Sequence, residues 1–436
     1  MERRCVEKQK YLLPKPPLPP LSLAIAKATE RELKGLPVVD FSSGNVGKLP
    51  LNEKLFKTME IEVNEHLSDG LRLIASAIKE GLLASFYPSP KGLGYSPTGG
   101  SDAIKKPVIR YFREVHAIPL KEEDTNRVIV TAGGQQSMMA SLRSLKPGTK
   151  VFLSRWDYSF ISGILKGSGL SEVRVGVNSD LSLKREELEE KVVEGSVFYT
   201  SMPNNPTGYV SPSDLEFITK IMVDREGGVI WDAPYIFTIL RLSHDKATFD
   251  SAFLKERIED FKKITRKYYE DMCVLSSISK TCLLAGLRFG FATATSHWIS
   301  IMSSIVGRES LSSPTPLFAI GSQALAMFLE RPITHEWLCE VLANRLTILM
   351  EEGLPLILPS NGMFGALYTL VDTKGIDGTK FATELVEKHG IVTVTGEPFY
   401  GGPVEAIRLS LVATPWTEGD VEFIESVKAL KRALNL

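Results

Sequence analysis

Ser277-Ile-Ser-Lys280 places a lysine directly behind a short run of strand-forming residues, Cys273 to Ser276. A lysine held in a dry pocket at a strand end offers an uncharged amine, the nucleophile of Schiff-base chemistry. A few residues on, Leu284-Ala-Gly-Leu-Arg288-Phe-Gly290 sets an arginine among glycines. A serine hydroxyl and a guanidinium together suit a phosphate. Trp231-Asp232-Ala-Pro-Tyr235 ends another strand-like run, Gly228 to Trp231. An aspartate there is costly to bury unless a cation faces it, and a protonated pyridine nitrogen is one such partner. Thr131-Ala-Gly-Gly134-Gln135-Gln136 joins a strand to a helix, leaving free N–H groups at a positive helix end. Ser201-Met-Pro-Asn-Asn205-Pro-Thr-Gly208 follows the run Ser196 to Thr200. Taken singly, each pattern has a plain alternative: a surface lysine, a capping aspartate, an ordinary Asn-Pro-x-Gly turn.

What lifts them above string matches is the frame that must position them. Short apolar runs alternate with helical patterns between about residues 125 and 295: Val128 to Thr131, Val151 to Leu153, Val173 to Val175, Ser196 to Thr200, Gly228 to Trp231 and Cys273 to Ser276. Runs of this kind indicate strands covered on both faces, hence a largely parallel sheet. Ligands of such sheets sit outside the carboxyl ends of the strands, where these motifs fall. Beyond residue 300 a long helical region, Phe318 to Glu352, leads to strands at Leu356 to Leu358, Ala366 to Val371, Ile391 to Thr395 and Ile407 to Leu411. Helices at Gly378 to Lys388 and Glu418 to Leu434 complete a smaller α/β unit. The charged segment from Ile239 to Tyr269 reads as a surface insertion.

At 436 residues the chain is longer than one hydrophobic core usually supports, so two domains are predicted. Lys and Arg number 51 against 52 Asp and Glu, and this balance gives no electrostatic footprint for nucleic acid or an acidic membrane. Cys5, Cys273, Cys282 and Cys339 form no CxxC pair or Cys/His cluster. Neither a disulfide framework nor a metal site is expected, and a reducing, cytoplasmic compartment fits. No apolar run approaches the roughly 18 residues that cross a bilayer. The Pro-rich stretch Leu13 to Pro20 reads as an arm lying along the surface or a neighbouring subunit, not as a signal peptide.

In chain order, Tyr95-Ser-Pro-Thr-Gly-Gly100, Thr131-Ala-Gly-Gly134, Asn205-Pro-Thr-Gly208, Asp232-x-x-Tyr235, Ser277-x-Ser-Lys280 and Arg288 resemble the class I/II aminotransferases of pyridoxal-phosphate fold type I, the aspartate aminotransferase superfamily. The likeness runs from Gly44 to Arg408. It implies an α/β fold: a large domain, residues 61–315, with a mostly parallel seven-stranded sheet flanked by helices, and a smaller α/β domain, residues 316–436. Residues 1–60 would form an N-terminal arm and part of the small domain.

The resemblance also implies pyridoxal 5'-phosphate as cofactor and a homodimer with active sites at the subunit interface. Lys280 would carry the cofactor and move the proton at the substrate Cα. Asp232 would pair with the pyridine nitrogen, and Asn205 and Tyr235 with the ring's phenolic oxygen. Gly134, Gln135, Ser277 and Arg288 would bind the phosphate, with Tyr95 reaching the neighbouring subunit's phosphate. Tyr158 would stack on the ring face. The chain departs from the family pattern here, reading Ser154-Arg-Trp156-Asp-Tyr158, so Trp156 stands as the alternative. Arg408, in Ala406-Ile-Arg408-Leu-Ser410, would grip the substrate carboxylate with its planar fork. Gly44 would let the N-terminal segment approach the substrate, and it reads equally as a plain turn.

The expected reaction is ping-pong transamination between an L-amino acid and a 2-oxo acid. A C–S β-lyase or related elimination or synthase enzyme shares the same motifs. A non-catalytic module that binds the cofactor is a third reading, but such proteins carry a DNA-binding domain, for which this chain has neither room nor charge. Phe86, Tyr87, Tyr158, Phe364 and Phe399 hint at an apolar or aromatic substrate, although such residues serve equally as core.

Overall fold

The computed structural model describes residues 20–42, 97–310, 314–330 and 333–434. Its centre is a seven-stranded sheet: β1 (Val128–Ala132), β2 (Lys150–Ser154), β3 (Ser171–Val175), β4 (Val197–Ser201), β5 (Gly228–Asp232), β6 (Met272–Ser277) and β7 (Phe289–Thr293), in the spatial order β1-β7-β6-β5-β4-β2-β3. Pairings among β2 to β6 are parallel, and β7 runs antiparallel between β1 and β6. The sequence reading missed β7. Its Phe-Gly-Phe-Ala-Thr is as apolar as its neighbours, but it follows β6 without the helical crossover that marked the others.

Helices cover both faces. α1 (Pro20–Leu33) belongs to the smaller unit, while α2 (Gly134–Arg143), α3 (Pro212–Val223) and α4 (Ser251–Tyr268) belong to the large one. Ser211 caps α3 by accepting from the Asp214 amide, 3.1 Å away, with Pro212 in the first turn. Asp250 caps α4 by accepting from the amides of Ala252 and Phe253 at 2.9 and 3.1 Å.

The segment 239–269 is not a surface insertion. Leu254, Ile258, Phe261, Ile264 and Tyr268 recur at helical spacing and are buried, and Phe261 stacks on Trp231 with centroids 5.1 Å apart. The charge that suggested decoration lies on the opposite face of α4, in ion pairs such as Lys263–Asp260. α4 is the crossover between β5 and β6. The strands Leu240–Leu242 and Ala247–Thr248 before it form a three-stranded sheet with Met363–Phe364.

The region Phe318 to Glu352 is two helices, α5 (Thr315–Glu330) and α6 (Ile333–Glu351), on either side of Arg331-Pro332. Proline has no amide hydrogen to continue a helix. Phe318, Ala319, Ala324, Leu325 and Phe328 of α5 bury in the core of the large sheet.

The smaller unit is built on β8 (Leu356–Ile357), β9 (Tyr368–Asp372), β10 (Val394–Thr395) and β11 (Ala406–Ser410), an antiparallel sheet in the order β8-β9-β11-β10. The run Ile391 to Thr395 divides. Ile391–Val392 pairs in parallel with Val39–Asp40, and after the buried Thr393 the chain enters β10. α1 lies on this pairing through Ala28 against Val386 and Val392. Phe41 then enters the core, and its carbonyl accepts from the Ser410 amide at 2.7 Å. The early chain is thereby stitched to β11, the strand that carries Arg408. Among the described residues, no helix is long and apolar enough to cross a membrane, and no group of His, Cys, Asp and Glu could hold a metal ion.

Arg345 of α6 locks the end of the smaller unit. It is fully buried and donates from Nε and Nη2 to Asp420 at 2.9 and 2.7 Å. It also donates to the carbonyls of Leu411, Thr414 and Pro415 at 2.9, 2.9 and 3.0 Å. These bonds pin the segment between β11 and α7 (Val421–Ala433). Arg345→Ala leaves the Asp420 charge buried with no cation, only Asn344 still donating to it at 3.3 Å, and is expected to lower the unfolding free energy by about 3–5 kcal/mol in urea titration. A loss below about 1 kcal/mol, the range of an exposed pair, would contradict this account.

Candidate active site

The carboxyl ends of β1, β2, β4, β5 and β6 open on one edge of the sheet, and the loops that follow them hold the candidate residues. The antiparallel β7 begins at that edge, with Phe289 opposite Ala132 and Gly290 opposite Ser277. Arg288, just before β7 and at φ +51°, is thus delivered beside the β1–α2 turn. A Cβ on Gly133 would sit 2.1 Å from Arg288 Nη2, and one on Gly290 would sit 2.2 Å from the Gly133 carbonyl carbon. Only glycine at 133 and 290 lets the arginine and the turn come this close. Ser277 lies on the other side, with its Oγ 3.8 Å from a Cβ built on Gly134. Gly134 opens a ten-residue helix, so its amide points out of the positive helix end. Amide, hydroxyl and guanidinium make a cradle for a dianion.

Asp232, at the end of β5, accepts from the Tyr199 hydroxyl at 2.9 Å. Burial pushes the Asp232 carboxyl up to about 7, against the downward pull of Tyr199. A desolvated carboxylate of this kind is stabilised by a cation brought in with a ligand. Lys280, in the short helix Ile278–Thr281, lies with Nζ 6.0 Å from the centre of the Tyr235 ring. Tyr235 donates to Tyr368, and the rings cross edge-on at 6.3 Å. Burial raises the Tyr235 hydroxyl pKa. Burial also acts upward on Tyr368, but the charges of Lys280 and Arg408 and the bond from Tyr235 outweigh it and hold Tyr368 below its ordinary range.

Arg408 is buried at 6% exposure in the middle of β11. Nη1 donates to Asn205 Oδ1 at 3.1 Å and Nη2 to the Ser42 carbonyl at 3.0 Å. Its guanidinium lies 4.0 Å from the Tyr368 ring centre and 4.8 Å from that of Phe399. Nε is buried without a hydrogen-bond partner. Burial lowers the Arg408 pKa, while Tyr368, Tyr235 and Tyr158 oppose that shift.

The two aromatics after β2 separate. Trp156 packs against Tyr400 at 4.9 Å, among Leu181, Tyr209 and Phe399. Tyr158 donates to Gln135 Oε1 at 3.0 Å and lies within the electrostatic reach of Asp232, Arg408 and Arg288. Tyr158, unlike Trp156, is thus bonded to the first turn of α2. Tyr95 and Gly44 lie outside the described residues, as do Phe86 and Tyr87. Phe364 packs against Gly208, where a Cβ would come within 2.2 Å of its ring. It supports the Asn205 turn.

Sequence reasoning missed Tyr199, Tyr368, Ser42 and Asp157. Tyr199 and Tyr368 stand inside strands, where an aromatic reads as core. Ser42 contributes a carbonyl, which no side-chain motif reveals. Asp157 was in view between the two aromatics, but its partner Ser201 is remote in sequence.

The model of the family described as aminotransferase class I and II matches residues 57–427. Among curated proteins, the chain is 26% identical over 308 residues to histidinol-phosphate aminotransferase 2 of Mannheimia succiniciproducens, covering 70% of this chain and 79% of that one. It is 24% identical over 362 residues to the aspartate aminotransferase of Sulfurisphaera tokodaii, covering 79% and 83%. Among solved structures, a double mutant of Thermus thermophilus aspartate aminotransferase superposes with a TM-score of 0.75 at 20% identity, covering 96% of this chain and 97% of that one. The same Thermus enzyme with maleate gives 0.74 at 20% identity, covering 99% of each. These structural likenesses carry the fold, and the family match spans the large sheet, the cradle and β11 alike: the chain belongs to the class I and II aminotransferases.

Proposed function

We propose that this aminotransferase uses pyridoxal 5'-phosphate and moves an amino group between an L-amino acid and a 2-oxo acid in a ping-pong cycle. The observation that carries the reading is the pairing of two electrostatic features along one edge of the sheet. A desolvated carboxylate, Asp232, lies at one end and a cradle for a dianion at the other. A phosphorylated pyridine answers both. Gly134, Gln135, Ser277 and Arg288 would hold the phosphate. Asp232, steadied by Tyr199, would keep a proton on the ring nitrogen. Asn205 and Tyr235 would face the phenolic oxygen and Tyr158 the ring.

When bound, the cofactor supplies an electron-withdrawing ring that makes the substrate Cα–H acidic. The chain's own residues do the rest. Arg408 grips the α-carboxylate in a planar, two-point contact and so orients the Cα. Lys280 Nζ takes the Cα proton. The Tyr368 and Phe399 rings keep water from the guanidinium. Tyr235 and Tyr368 place two buried hydroxyls close to the lysine. We further propose a homodimer in which Tyr95 reaches the neighbouring subunit's phosphate, and two domains that meet across Arg408. The buried rings around Arg408 favour an apolar or aromatic substrate side chain.

The test is an absorbance spectrum of the purified protein with added pyridoxal 5'-phosphate and a panel of L-amino acids. Bleaching of the bound-cofactor band by one amino acid, and its recovery with a 2-oxo acid, is the expected result and identifies the substrate. Release of ammonia and pyruvate without any acceptor would replace transamination by β-elimination. Lys280→Ala is expected to cut turnover at least roughly 100-fold, the scale of one general base; near-normal turnover would remove Lys280 from the role assigned here.

Asp232 also makes a pH prediction for the cofactor-free protein. Its folded pKa of about 7 stands above the roughly 3.9 of an unfolded aspartate. Between those values the folded state holds a proton that the unfolded state has released, so this stability contribution is full at low pH and is lost as pH rises through about 7. Asp232→Asn should therefore gain on wild type in melting temperature from pH 5 to pH 8. A constant gap across that range would show that Asp232 is not desolvated.

A further inference from the structure

Asp157 is fully buried, and nothing in the reaction sketched above uses it. Its Oδ1 accepts from the Ser201 hydroxyl and the Tyr158 amide, both at 2.7 Å. The Ser201 Oγ in turn accepts from the Asn205 amide at 3.3 Å and from Asn204 Nδ2 at 3.3 Å. Asn205 Oδ1 accepts from Arg408 Nη1 at 3.1 Å. The Arg408 guanidinium lies 4.8 Å from the Phe399 ring centre, and the Phe399 carbonyl accepts from the Asp157 amide at 3.1 Å. The contacts close on themselves: Asp157, Ser201, Asn205, Arg408, Phe399 and back to Asp157.

This ring crosses the joint between the large sheet and the smaller unit twice, once at Asn205–Arg408 and once at Phe399–Asp157. The second crossing is reinforced. Arg174 of β3 donates from Nη1 to the same Phe399 carbonyl at 2.6 Å and to the Arg155 carbonyl at 3.0 Å. Gly401 leaves room for it: a Cβ there would sit 2.5 Å from Arg174 Nε. Asp157 thus links the Asn205 turn, which its side chain reaches through Ser201, to Phe399, which its backbone holds.

We infer that Asp157 is a positioning residue for substrate binding, which acts through Ser201–Asn205 and through Phe399 to hold the Arg408 guanidinium in its carboxylate-gripping pose. A carboxylate is a costly way to close a buried turn, since burial pushes Asp157 up to about 7 against the bonds from Ser201 and Tyr158 and the charge of Arg174. What it provides is short, charge-assisted bonds to two donors at once, and these stiffen the loop that faces Arg408. A grip used equally by the ground and transition states shows in KM, not in kcat. Both substrates of the ping-pong cycle carry a carboxylate, so both KM values should move together.

The inference rests on Arg408 being the carboxylate grip, and the experiment keeps the two apart. KM and kcat are measured for the amino acid that bleaches the cofactor band and for its 2-oxo acid partner, in Asp157→Ala, Asp157→Asn, Ser201→Ala and Arg408→Lys holoenzymes. Asp157→Ala is expected to raise both KM values about tenfold, the effect of one buried group left unpaired. Its kcat should stay within about threefold. Asp157→Asn, which still offers an oxygen to Ser201 and Tyr158, should recover most of the loss. In the cofactor-free protein, amide hydrogen exchange should quicken over residues 204–209 and 397–401 in Asp157→Ala and stay unchanged in β1. Wild-type KM values in Asp157→Ala, or a fall in kcat with KM unchanged, overturns the inference. If Asp157→Ala does not fold, Ser201→Ala decides: it should raise KM several-fold at wild-type melting temperature, and an unchanged KM overturns the inference. If Arg408→Lys itself leaves both KM values unchanged, the reading of Arg408 falls and the role given to Asp157 falls with it.

Discussion

A guanidinium with almost no access to water sets the terms for this structure. Arg408 stands in the middle of β11, and burying such a cation is tolerable only if its environment supplies compensation. Every unit of the fold contributes some. The Asn205 turn gives an amide oxygen, the early chain gives the Ser42 carbonyl, and β9 gives the face of Tyr368. The compensation is incomplete, because Nε finds no partner. Those contributions come from residues 42, 205 and 368, which are brought together only by the finished fold. The stitching of Val39–Asp40 to Ile391–Val392 and of Phe41 to Ser410 is the local price of getting Ser42 there.

The large sheet does the complementary work. Parallel strands collect their loops on one edge, and the antiparallel β7 is the exception that serves the site. Were β7 parallel, Arg288 would emerge at the far edge. Running the other way, it enters beside Gly133 and Ser277, and two glycines clear the space. The cradle is therefore a consequence of strand direction and of missing Cβ atoms as much as of the residues that donate hydrogen bonds.

Much of this was legible in the sequence, and the gaps have physical causes. Lys280, Asp232, Asn205 and Arg288 sit next to strand ends in sequence, so a chain-order motif catches them. The strands themselves were visible because burial on both faces makes continuous apolar runs. What sequence order hides is anything assembled across the chain. Tyr199 looks like one more apolar strand residue until Asp232 is seen beside it on the neighbouring strand. α4 looked like decoration because half its residues are charged, and only its buried face shows it to be a crossover. The choice between Trp156 and Tyr158 lay open because the two aromatics are separated by one residue; in the fold Trp156 packs against Tyr400 and Tyr158 bonds to Gln135.

The pocket is thus built with its charges deliberately under-compensated. Asp232 is desolvated with only a phenol as donor, and Arg408 retains an unpaired Nε, beside a cradle of guanidinium and helix end. A protein optimised for stability alone would neutralise or hydrate such groups. Leaving them strained means that a ligand with a cationic ring nitrogen, a phosphate and a carboxylate relieves each in turn, so the cost carried by the empty fold returns as binding free energy. Asp157 fits the same logic one layer out. It does not meet the ligand, yet its own buried charge makes the frame around Arg408 stiff enough for that relief to be directional.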